Sequence, residues 1–185
     1  MLNREQAWQK LNELISNQNL VKHCLAVEAA MLTYADHFSV PKAESEKWAV
    51  AGLIHDADWE KHPDQHPEVV MAWLEEQDAN PAIINAVAAH GFEFSTQPET
   101  LMARTLRAVD ELTGLIVAVA LVRESKKLAD VTVESIRKKW GSTGFAKGVK
   151  REDIERGADE IGVELNQHIA IVLKAMQNAS DALGL

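Results

Sequence analysis

The chain has 185 residues, with 19 basic against 28 acidic side chains and a formal net charge of −9 with histidines neutral. Its 46% hydrophobic and 25% charged residues are the proportions of an ordinary globular protein with a sizeable core, which excludes a disordered or fibrous chain. The acidic balance argues against a nucleic acid polymer as partner, and a single cysteine, Cys24, excludes an internal disulfide and thiolate-rich metal sites, which points to a reducing, cytoplasmic setting.

The first residues, Met-Leu-Asn-Arg-Glu-Gln-Ala-Trp, carry early charge and lack the apolar core of a signal peptide. Almost every later segment repeats its apolar residues with helical periodicity, and none alternates as a strand does, so the chain reads as all-α. A first helix is predicted over Arg4 to Ile15, ending near Asn17 and Asn19, and a second over Leu20 to His37, stopping before Pro41. A third covers Ala43 to Asp56 and ends in the polar segment Asp58 to His66. Two helices opened by proline follow, Pro67 with His66 as its N-cap and Pro81 capped by Asn80, the latter closing at Gly91 as a left-handed C-cap. A long helix runs from Pro98 to Arg123. Its apolar stretch Leu112 to Val122 has eleven residues, against the ~20 needed to cross a bilayer, and reads as a buried core helix. Helices over Val133 to Trp140, Arg151 to Ile161 and Glu164 to Ala182 complete the chain, with a loop at the Gly-Ser-Thr-Gly stretch from Gly141. No linker divides them, so a single domain is expected.

Several histidines and aspartates lie on faces otherwise made of small or apolar residues. Asp110 is flanked by Leu106, Arg107, Thr113, Gly114 and Val117. A buried carboxylate must be paired, neutralised or bound to a cation, and here the partner is either Arg107, one turn back, or a metal. His23 and His55 sit among Ala, Gly, Val and Leu, where a lone histidine is commonly a packing residue. The doublet His55-Asp56 changes that weighting, because a nitrogen and a carboxylate at the end of an apolar helix suit one shared cation. Helix neighbours diverge by about 100°, so both reach it only at the helix edge or if Asp56 curls at the terminus.

A histidine, a His-Asp doublet and a distal aspartate on separate helices, here His23, His55-Asp56 and Asp110 at intervals of 32 and 54 residues, resemble the HD superfamily of metal-dependent phosphohydrolases. The resemblance to small predicted HD hydrolases extends over nearly the whole chain, through His-Asp-Ala-Asp-Trp-Glu from His55, Ala-Val-Asp-Glu-Leu-Thr-Gly-Leu-Ile from Ala108 and Phe-Ala-Lys-Gly-Val-Lys-Arg-Glu from Phe145. It implies an HD helical bundle with the metal site between core helices, a motif core over about residues 20–123 and a C-terminal helical extension over 124–185. It also implies that His66 and His90 complete the site, holding a second metal bridged by Asp56 or contacting substrate phosphate. Without it, His66 reads as an exposed N-cap and His90 as a complement to a helix C-terminus. His37 and His168 read as structural residues on amphipathic surfaces.

An imidazole and carboxylate donor set suits one or two divalent ions such as Mn, Fe, Co, Ni or Mg better than tetrahedral zinc. Asp58 is either a general base, an orienting partner of a ligand histidine, or a solvated turn residue. Of the 19 basic residues, 8 fall within the 26 residues from Lys126 to Arg151. Lys127, Lys138, Lys139 and Arg151 among them are candidate contacts for substrate phosphate, with a solvated helix face as the alternative. The expected activity is metal-dependent hydrolysis of a small phosphoester, a nucleotide or related phosphorylated metabolite. The alternatives are a di-iron HD-type oxygenase using the same ligands and a non-catalytic nucleotide-binding module.

Overall fold

A computed structural model describes residues 2–142 and 144–185; Met1, and Thr143 of the loop expected after Gly141, lie outside the described residues. The described residues are helical, with no strand among them. The helices are α1 (Arg4–Leu14), α2 (Gln18–His37), α3 (Lys42–Ile54), α4 (Glu68–Glu76), α5 (Pro81–Ala88), α6 (Leu101–Leu121), α7 (Val133–Trp140), α8 (Arg151–Glu160), α9 (Leu165–Asn178) and α10 (Ser180–Leu183). No helix among them is long and apolar enough to cross a membrane.

The bundle is built around α3. Its stretch Trp48 to Ile54 is buried on every side, as an all-round apolar helix must be, and α1, α2 and α5 enclose it. α6 lies against α2 and α5, while α8 and α9 cover its other flank. The helices carrying His23 and Asp110 and the end of α3, capped by His55, therefore meet at the centre.

Two glycines set how closely these helices approach. A Cβ on Gly52 of α3 would lie 3.0 Å from the Glu28 Cα of α2, and one on Gly157 of α8 would lie 2.6 Å from the Ala108 Cα of α6. The first contact brings His23 and His55 together, and the second fixes the turn of α6 that precedes Asp110. Glu28, buried in α2, is held by the guanidinium of Arg4, whose Nη2 donates to Oε2 at 2.8 Å, tying α1 to the core.

Several boundaries differ from those expected. α4 begins at Glu68 with Pro67, not His66, in the cap position, and neither supplies a side-chain cap. Its Val70 N–H is satisfied instead by the Asp58 carboxylate at 3.0 Å. Gly91 lacks the left-handed conformation expected of a C-cap; α5 ends at Ala88, with Ala89 as its C-cap. α6 starts at Leu101, where Thr100 accepts from Ala103 N–H at 3.1 Å. The last predicted helix is two, α9 and α10, separated at Ala179.

His168 is fully buried and not on a surface, because α9 packs across α2 and α6. Its Nε2–H donates to the Ala108 carbonyl of α6 at 3.0 Å, and its Nδ1 accepts from the Tyr34 hydroxyl of α2. Burial lowers its pKa from 6.5 to about 4. The unfolded chain takes up this proton below about pH 6.5, whereas the folded chain keeps the ring neutral down to about 4. This residue's contribution is therefore fully present above pH 6.5 and is lost towards pH 4, a loss of about 3 kcal/mol. Unfolding free energy measured between those limits should fall with acid more steeply for the wild type than for His168→Gln. Parallel curves would contradict the buried neutral ring.

Candidate metal centre

α3 stops at Ile54, so Asp56 lies in the turn that follows and not on the helix, where Ala57 N–H donates to the Ile54 carbonyl at 3.0 Å. That turn removes the angular divergence of helix neighbours and aims His55 and Asp56 at one point. The same turn is anchored by Glu60, whose Oε2 accepts from Ser16 and Asn17 N–H at 2.8 Å each and fastens it to the start of α2.

Two groups of three donors form there: His23, His55 and Asp110 on one side, and Asp56, His66 and His90 on the other. In the first, the Nε2 atoms of His23 and His55 lie 3.0 and 3.4 Å from Asp110 Oδ1. In the second, the Nε2 atoms of His66 and His90 each lie 3.4 Å from Asp56 Oδ1. Asp56 joins the groups, because its other oxygen, Oδ2, is 3.5 Å from both His23 and His55 Nε2.

Hydrogen bonds at Nδ1 dictate what these rings present. Carbonyl and carboxylate oxygens only accept, so His55 Nδ1–H donates to the Gly52 carbonyl at 2.9 Å, His90 Nδ1–H to Val87 at 2.6 Å and His66 Nδ1–H to Asp58 at 2.6 Å. Thr113 spends its hydroxyl hydrogen on the Asp110 carbonyl at 2.8 Å, leaving Oγ1 to accept from His23 Nδ1–H at 3.3 Å. Each neutral ring then offers a bare Nε2 lone pair to the centre. His66 and His90 Nε2 face each other at 3.2 Å, and the buried His55 Nε2 has no hydrogen-bond partner. Lone pairs converging on carboxylate oxygens require positive charge between them. A divalent ion in each group would supply it, and the donor types fit one.

Without an ion, protons take that role. Burial disfavours a charged His23, yet its bonds to Asp110 and Asp56 raise the ring to about 10. Burial likewise opposes ionisation of Asp56 and Asp110, but His55 and His23 beside them hold both carboxyls below the ordinary range. Metal and protons thus compete for the same positions.

Asp58 is fully buried and not solvated. One oxygen holds His66 and the other caps α4, and it does not line the cavity over the centre. It orients His66; the general-base reading finds no access to a reacting water. Arg107 does not pair with Asp110. Its buried guanidinium donates to the Ala89 carbonyl at 2.8 Å and stacks on Phe92 at 4.7 Å, bracing the segment that carries His90.

The cavity above the two groups has a volume of about 590 Å³, within the range of small-molecule sites. None of the four basic residues singled out as phosphate contacts lines it. Lys127 borders a separate surface hollow, Lys138 pairs with Glu134 at 2.9 Å, and Lys139 sits over the Phe145 ring. Arg151 donates to the carbonyls of Phe145, Ala146 and Val149, organising the loop that brings Gly148 and Lys150 to the cavity. Lys150 is the one Lys or Arg among the described lining residues. Glu93, Phe94, Glu111 and Asp153 also line it. Nothing in their local sequence marks them, since they come from separate segments joined only by the fold. Burial, then the neighbouring Asp110, pushes the Glu111 carboxyl up to about 7.

The family model described as the HD domain matches residues 20–115. The chain belongs to the HD-domain family. The matched segment contains both donor groups, whereas α7 to α10 lie beyond it. HD membership points to metal-dependent hydrolases, and the paired His/Asp groups are able to hold metal. Neither the curated proteins nor the solved structures compared with the chain give a match.

Proposed function

We propose that this HD protein is a metal-dependent phosphohydrolase that cleaves the phosphoester of a small phosphorylated molecule. In this reading His23, His55 and Asp110 would hold one ion and His66 and His90 a second, with one oxygen of Asp56 available to each. The observation that carries it is the division of Asp56, one oxygen towards each donor group. Divalent ions bound there would supply Lewis-acid polarisation of a phosphoryl oxygen and activation of water near neutral pH. The chain's own contribution is orientation. Gly52, Val87, Asp58 and Thr113 lock the four rings with Nε2 inward, and Trp59 and Phe94 wall the cavity beside them. The donor set suits Mn, Fe, Co, Ni or Mg.

The test is phosphate release from a panel of small phosphoesters by protein loaded with Mn, Co, Ni or Mg. Metal-dependent turnover of a panel member is expected. Oxygen consumption by the iron-loaded protein with no phosphate release under any metal would overturn hydrolysis in favour of oxidation.

A further inference from the structure

We infer that the substrate is a small phosphomonoester carrying a cationic amino group at the end away from its phosphate. This rests on the phosphohydrolase reading above and adds the polarity of the ligand. Two independent observations orient it. At the cavity floor, His23, Asp56, His66, His90 and Asp110 line the opening, with the fully buried His55 Nε2 behind them, 3.5 and 3.4 Å from Asp56 and Asp110, so positive charge, and the phosphoryl group drawn to it, belong there. At the rim the balance is opposite: Glu93, Glu111 and Asp153 face a single cation, Lys150.

Lys150 is not free to receive a second anionic group. Its Nζ lies 3.5 Å from Glu93 Oε2 and 3.9 Å from Asp153 Oδ2, and its backbone N–H is 3.4 Å from Glu111 Oε2. Glu93 and Asp153, ionised, leave the rim one net negative charge beyond that lysine. A carboxylate or further phosphate placed there meets like charge, whereas an ammonium group meets opposite charge. Half-exposed charge pairs each contribute a few-fold in affinity, so two acting together give a preference of about tenfold.

The experiment is calorimetric titration of the manganese-loaded full-length protein with three esters of similar size: phosphoethanolamine, ethylene glycol monophosphate and phosphoglycolate, whose free ends are cationic, neutral and anionic. Phosphoethanolamine should bind about tenfold more tightly than the neutral ester, and phosphoglycolate more weakly than either. In the double variant Glu93→Gln, Asp153→Asn the preference for the cationic ester over the neutral one should shrink. Equal or reversed affinities, no binding of phosphoethanolamine, or tighter binding of a deoxynucleoside monophosphate would overturn the inference. Phosphate release, followed on the same three esters, separates the two claims. Binding in the expected order without release under any metal removes hydrolysis and leaves the charge preference standing. Release with no charge order removes the preference alone.

Discussion

Asp56→Ala is expected to lose both metal ions at once, with affinity at each falling by more than about 100-fold, beyond the loss caused by removing an outer hydrogen-bond partner. The residue is the shared member of the two donor groups: Oδ2 stands 3.5 Å from His23 and His55, and Oδ1 stands 3.4 Å from His66 and His90. Removing it leaves four imidazoles converging with only Asp110 to offset a cation, so neither ion keeps its charge balance. His90→Ala is the contrasting case, because His90 belongs to one group only and its loss should release one ion. Metal analysis after dialysis checks both variants. Retention of two ions by Asp56→Ala would reject the bridging role, and loss of both by His90→Ala would reject the division into two groups.

The second large effect concerns a position with no chemistry of its own. Gly157→Ala should destabilise the fold by about 3 kcal/mol, the upper end of the cost of overpacking a tight contact. A Cβ there would stand 2.6 Å from the Cα of Ala108, closer than van der Waals contact allows, and the obstacle is backbone that cannot rotate aside. Either α8 moves off α6 or the Ala108 turn moves into the core. The second path disturbs the carbonyl held by His168 and shifts Asp110 half a turn further along α6. Gly141→Ala is the matched control, since a Cβ on Gly141 meets nothing within 4 Å. Denaturant unfolding of the two variants should separate them by most of that energy, and equal stabilities would show that the α6–α8 contact tolerates expansion.

The helices were legible in the sequence because buried faces repeat with helical period, and the polar residues interrupting those faces, His23, His55 and Asp110, stood out for the same reason. What stayed hidden depends on long-range folding. Asp58 has the local surroundings of a turn residue, and its burial arises only when the chain from Pro63 to Val70 folds back over it. Arg107 is one helical turn from Asp110, yet the Ala89 carbonyl and the Phe92 ring draw it the other way. His168 has the spacing of an amphipathic helix, and only the crossing of α9 over α6 buries it. The cationic run from Lys126 to Arg151 promised a positive pocket, but three of its four singled-out members point to local partners or solvent, and Arg151 is consumed by its own loop. The −9 of the whole chain proved the better guide to the cavity rim, which is acidic.

The division of the centre into two ion positions around one carboxylate is tested most directly by anomalous diffraction from crystals of the manganese-loaded protein. Two peaks are predicted, one among His23, His55 and Asp110 and one among His66 and His90, on opposite sides of the Asp56 carboxylate and separated by about 3.5–4 Å. A single peak, or peaks outside these two donor groups, would contradict the account.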